Sequence, residues 1–227
     1  MSRPATLSDT DHQRVSDAVA RAESGTAGEI VTVLADRSDG YSDVALAWAA
    51  LVAFLVLAAM AFFPDPALTL AEQFQGGWIH DWSSRQIFTL AALGAGLAFG
   101  AMMLLQALPA LRFFLIPAPI KSKRVHDRAL HTFRVSAEQR TTGRTGILIY
   151  LSMREHRAEV LADAAIATKV DSGVWADALE ALLGEVRKGD VAGGMCAAVD
   201  RIGAVLAAHL PREADDINEL PDRLIEI

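Results

Sequence analysis

The chain has 227 residues, 52% of them apolar, a formal charge of −7 and a single cysteine. With no long basic run except near Lys121, this acidic balance excludes nucleic acid as an expected partner. The lone Cys196 excludes an intrachain disulfide and suits a reducing compartment. It lies in the small-residue stretch AGGMCAAVD and reads as a packed core thiol.

The first element is a helix in LSDTDHQRVSDAVARAES. Val15, Ala18, Val19 and Ala22 share one face, and Ser8 with Asp11 three residues on makes an N-cap. Gly25 and Gly28 end it and introduce EIVTVLAD, a strand rich in β-branched residues. The chain then runs into VALAWAALVAFLVLAAMAFF, Val44 to Phe63, which carries no charge. A second such run, IFTLAALGAGLAFGAMMLLQAL, extends from Ile87 to Leu108. Each has the roughly 20 apolar residues needed to cross a bilayer. The apolar excess of the whole chain sits between Val44 and Ile116, and removing it leaves roughly 150 residues, enough for one domain.

The link PDPALTLAEQFQGGWIHDWSSRQ reads as a short polar loop with Trp78 and Trp82 as interface anchors. It holds one base, Arg85. Beyond the second run come Arg112, Lys121, Lys123, Arg124 and Arg128. Basic residues near span ends stay on the cytoplasmic side, so both ends of the hairpin are expected inside and its loop outside. Residues 110–116 are expected along the inner interface, with Arg112 reaching the headgroups. Gly96 and Gly100, four apart in GLAFG, are expected to face the first span, whose Ala47, Ala49, Ala50 and Ala53 offer a smooth surface, with dimerisation through the same glycines as the alternative.

KRVHDRALHTFRVSAEQR follows as an amphipathic helix with Val125, Ala129, Phe133 and Ala137 on one face. After the turn TTGRTG, GILIYLS has the continuous apolar character of a strand buried on both faces. MREH reverses the chain and RAEVLAD returns as the second arm of a hairpin. AAIATKV reads as a short helix or turn, and two longer helices follow. One places Trp175, Leu179, Leu182 and Val186 inward; the other places Met195, Val199, Ile202 and Leu206. The tail ELPDRLIEI is more apolar than a solvated terminus requires; it either docks on the domain, pairs with a sheet edge or remains solvated.

These elements predict a three-layer α/β/α domain with a small mixed sheet, interrupted by a transmembrane helical hairpin. Residues 1–43 form its first part, 44–116 the hairpin and 117–227 its second part. The hairpin occupies the crossover between the first two strands, a connection that parallel pairing makes long in any case.

The run TGRTGILIYLSMREHRAEVLADAAIATKV, the early TAGEIVTV and the ending AAHLPREADDINELPDRLIE together resemble the TPM domain family. Within it the chain is most similar to the bacterial membrane-protein branch, in which two spans interrupt the domain. The resemblance covers essentially the whole chain. One place departs from it: Ala165 stands where the family commonly has glycine. The resemblance implies the same small mixed sheet between helices and a role beside membrane protein complexes. Thylakoid members are associated with photosystem repair and proposed as phosphatases, an animal member is accessory to a receptor channel, and calcium binding is ascribed to some members.

If the first two strands are parallel, Asp36, Asp39, Ser152, Glu155 and His156 gather at one sheet edge. Glu29 and Asp163 gather at the other, with Asp171 near enough in sequence to join them. Converging carboxylates suit a hard cation, so Glu29, Asp163 and Asp171 are the candidate ligands for calcium or magnesium. The same acids have an ordinary use as solvated strand ends or helix caps, Asp163 capping AAIATKV. His126 and His131 are five apart, which is wrong for two ligands on adjacent helical turns, and the chain has no HExxH, CxxC, phosphate-cradling glycine loop or nucleophile elbow. No organic cofactor is expected.

The expected function is that of a non-enzymatic adaptor in assembly, repair or regulation of membrane protein complexes. The alternative is a metal-dependent phosphatase with an acidic cation site. The expected location is the bacterial inner membrane, with the soluble domain and both termini cytoplasmic and with the lipid bilayer and other membrane proteins as partners. Two uncharged spans offer no polar pathway for a transporter.

Overall fold

A computed structural model describes residues 7–74, 81–136, 145–212 and 220–227. In chain order the elements are α1 (Asp9–Glu23), β1 (Glu29–Ala35), α2 (Ser42–Phe62), α3 (Pro64–Phe74), α4 (Ser84–Leu105), α5 (Pro109–Leu115) and α6 (Ala118–Ser136). They continue with β2 (Gly146–Ser152), β3 (Arg157–Ala162), α7 (Ala164–Ala167), α8 (Ser172–Lys188), α9 (Val191–His209) and β4 (Ile225–Glu226). The chain forms two compact units: Met1–Asp39 with Ala118–Ile227, and Gly40–Pro117.

The first unit is built on a mixed sheet in the order β3-β2-β1-β4. β1 and β2 pair in parallel from Glu29 opposite Gly146 to Ala35 opposite Ser152. β2 and β3 pair antiparallel, and β4 adds to β1 in parallel. Every residue of β1 and β2 is buried, because helices cover both faces. On one face Ile30, Leu34, Ile147, Ile149 and Leu151 pack with residues of α1, α8 and α9, among them Val19, Leu182, Met195 and Leu206. On the other, Val31, Val33, Leu148 and Tyr150 pack with Val125, Ala129 and Phe133 of α6. This is the α/β/α layering that the strand and helix periodicities predict.

Local signals act as their chemistry requires. Ser8 caps α1 by accepting from the Asp11 amide, and the Asp11 carboxylate accepts from the Ser8 amide in return. The turn Met153–His156 closes the β2–β3 hairpin, with His156 in the left-handed region at φ 51°. The tail pairs with the sheet edge, Ile227 exchanging backbone bonds with Leu34 of β1 and with Asp36 just beyond it. The turn residues 141–144 and the tail residues 213–219 lie outside the described residues, as does Trp78.

In the second unit α2 and α4 pack against each other. Both are long and apolar enough to cross a membrane, as is α9. Burial separates the three: the most apolar window of α9 is 50% buried within its unit, those of α2 and α4 only 17% and 0%. α9 is thus a core helix, while α2 and α4 present apolar sides with no protein cover in their unit. The helices meet at Gly94, where an added Cβ would lie 3.4 Å from Met60 Sδ and 3.7 Å from Val56 Cγ1. Gly96 and Gly100 have nothing within 4 Å. This corrects the expectation that they face the first span: their spacing marks a smooth stripe, but the helix turns a different side to α2. At the far end the buried Gln106 donates through Nε2 to the Ala45 carbonyl at 3.0 Å. The link expected as a loop contains α3. Pro64 and Pro66 both fall in its first turn, where a missing amide costs nothing. Trp82 donates its indole N–H to Glu72 of α3 at 2.9 Å.

Candidate functional site

The acidic end of the sheet is assembled by the α1–β1 turn, the start of β2, the end of β3 and the C-terminal segment. Thr26 fixes the turn by donating to the Leu210 carbonyl at 2.7 Å and accepting from the Gly28 amide at 3.1 Å. The turn places Glu23, the last residue of α1, and Glu29, the first of β1, in the interior at 8% and 5% exposure. Glu23 accepts from the Ile30 amide at 2.7 Å, and Glu29 from the Leu220 amide at 3.3 Å. Glu23, Thr26, Glu29, Arg212 and Asp222 line a cavity of about 70 Å³. Burial pushes the Glu23 carboxyl up to about 8, the negative charges of Glu29 and Asp222 add to the rise, and the Ile30 amide opposes it. Glu23 therefore holds a proton at neutral pH and is able to share it with Asp222, its hydrogen-bond partner.

Asp163 lies on the same edge. Its amide donates to the Gly146 carbonyl at 3.0 Å and its carboxylate accepts from the Gly146 amide at 3.1 Å. Since Gly146 is also the register partner of Glu29, the structure sets Glu29, Gly146 and Asp163 in one row across three strands. Asp163 occupies the N-cap position of α7 without a side-chain capping bond. Asp171 is used differently: its carboxylate accepts from the Gly173 amide at 2.7 Å and caps α8. The row thus joins two of the three candidate ligands, and the third is exposed and committed to a helix terminus. Among the described residues, no three His, Cys, Asp or Glu side chains converge as a metal ion would require. The donor set does not by itself fit a calcium or magnesium centre, which takes six or more oxygens. Glu23 and Asp222 were not among the sequence candidates. Glu23 reads as the polar end of an amphipathic helix, and only the tight α1–β1 turn buries it.

The opposite sheet edge carries a second polar group. Ser152 donates to Glu155, and Ser38 donates to Ser152 at 2.9 Å and shares a 3.1 Å hydrogen bond with the Tyr150 hydroxyl. The Ser38 amide donates to Glu155 at 3.2 Å. Glu155, in a turn whose charges the sequence would leave solvated, is buried at 6% exposure. Asp36 pairs with Arg154, and Asp39 with Arg124. His156 is exposed. This network fixes the path of the chain as it leaves β1. Cys196 donates to the Arg14 carbonyl at 3.5 Å, and burial raises its thiol above the ordinary value, which is the state of a packed rather than a reactive cysteine.

The family model of the TPM domain matches residues 112–205, from α5 through most of α9. A TPM domain is therefore found over the part of the chain that supplies β2, β3 and Asp163. The NMR structure of the BA42 protein from the psychrophilic bacterium Bizionia argentinensis is similar, with a TM-score of 0.57 and 17% identity over 100% of both chains. That likeness is one of fold. Comparison with curated proteins gives no match.

Proposed function

We propose that this chain is a bacterial inner-membrane adaptor of the TPM branch with a two-helix insertion. Its soluble domain and both termini lie in the cytoplasm, where it assists assembly, repair or regulation of other membrane proteins. The observation that carries the reading is the insertion itself. α2 and α4, uncharged through their centres, interrupt the chain between two strands that pair in parallel. Such a domain is tethered by two crossings at neighbouring points of its chain, with the basic residues that follow the second crossing on the cytoplasmic side. Full-length tagged protein solubilised in mild detergent should recover defined membrane proteins. A variant with residues 40–117 replaced by a short linker should not recover them. Background-level recovery by the full chain in growing and in stressed cells would refute the adaptor.

The row Glu29, Gly146 and Asp163 supports a second reading, a metal-dependent phosphatase. In it the two buried carboxylates would supply part of a calcium or magnesium site. Purified chain would then hydrolyse a phosphoester only with added cation, and Glu29→Gln and Asp163→Asn would each abolish turnover. The adaptor is preferred because Asp171 is spent on a helix cap and the remaining donors are too few.

A further inference from the structure

The two edges of the sheet are treated differently. At the β1 edge the Ile30 amide is taken by Glu23, Leu34 and Asp36 bond to Ile227, and β4 covers the strand between them. Among the described residues the β3 edge has no such cover. In an antiparallel pair every second residue bonds to its neighbour strand. The Asp163–Gly146 bond and the β2–β3 register assign Arg157, Glu159 and Leu161 to β2. Ala158, Val160 and Ala162 therefore turn their amides and carbonyls outward, and no described residue bonds to them. All six β3 residues are half-buried, where every residue of β1 and β2 is buried. An uncovered edge of this length is a template for another strand.

We propose that β3 pairs with β3 of a second copy of this chain, antiparallel about a two-fold axis at Val160, so that two four-stranded sheets become one. Charge and the number of backbone groups paired together select the axis. With Val160 opposite itself, Ala158 faces Ala162, all three outward-bonding residues find partners, and Arg157 at one end comes opposite Asp163 at the other. An axis at Glu159 sets that acid against its own copy. An axis at Leu161 sets Glu159 against Asp163. Both place like charges directly opposite, which destabilises a strand pair. An axis at Ala158 leaves Ala162 without a partner.

The test uses the full chain in detergent and in membranes, with Cys196→Ser as background. Residues opposite each other in a bonded antiparallel pair have Cα atoms about 5.5 Å apart, within disulfide reach. Val160→Cys should therefore give a disulfide-linked dimer under mild oxidation, and the exposed control Lys123→Cys should not. Val160→Pro removes the outward amide and leaves the β2 ladder intact, as edge prolines do, so light scattering should show a monomer. Arg157→Glu, which alters no backbone group, should weaken the dimer several-fold. Linkage of Val160→Cys no faster than the control, linkage to a different protein, or dimers unchanged in Val160→Pro and Arg157→Glu would each overturn the proposal.

Discussion

Replacing Glu23 by Gln should flatten the pH dependence of the domain's stability. The folded chain keeps the Glu23 proton up to about pH 8, whereas the ordinary value is 4.5. Between those limits the folded state binds the proton and the unfolded state has released it. Stability therefore falls as pH rises. The contribution is complete below 4.5 and gone once pH passes about 8. The slope is about 1.4 kcal/mol per pH unit, so the whole window is worth at most roughly 5 kcal/mol. Glutamine is the permanent analogue of the protonated acid: its carbonyl still accepts from the Ile30 amide, and its NH2 group can donate to Asp222. Hydrogen exchange of β1 and β2 amides in the full chain, corrected for intrinsic rates, measures the effect. Wild type should lose protection steadily between pH 5 and 8, and Glu23→Gln should lose much less and exceed wild type above pH 8. Parallel profiles for the two proteins would refute the assignment of a buried, protonated Glu23.

Gly203→Ala should destabilise the domain by about 1–3 kcal/mol, because its Cβ would come within 2.6 Å of Ala22 Cβ and 3.2 Å of Ala22 Cα; Gly184→Ala, with nothing within 4 Å, should instead stabilise α8 by up to about 1 kcal/mol. Thermal melts of the two variants compare them directly. Gly94→Leu should loosen the α2–α4 pair while Gly96→Leu and Gly100→Leu leave it intact, as read by disulfide trapping between cysteines placed on the two helices. Glu155→Ala should cost about 1–3 kcal/mol by removing the acceptor that the half-buried Ser38 amide and the buried Ser152 hydroxyl both donate to, and its denaturation midpoint should fall below that of Glu155→Gln.

Much of this protein is local and so was legible in the sequence. The α1 capping box, the β2–β3 reversal and the amphipathic faces of α6, α8 and α9 each follow from residues a few positions apart. The two uncharged runs follow from composition alone, and the long excursion between β1 and β2 permits the parallel pairing that the structure shows. The sequence does not decide what residues 225–227 do, because a three-residue pairing gains its energy from the edge it meets, not from its own propensity. Gly96 and Gly100 mark a stripe, but which side of α4 meets α2 depends on how the whole pair packs, and that side is Gly94. The functional site divides the same way. Glu29 and Asp163 could be placed on one edge by strand direction, a property of order and sign. Glu23 and Asp222 could not, since the α1–β1 turn that buries Glu23 also brings it to a segment about 200 residues further along the chain. The sequence alone determined most of the segments that form, though not α3 or β4. Only the tertiary structure decided which carboxylates lose their water, because desolvation belongs to the packed assembly and to no single stretch of the chain.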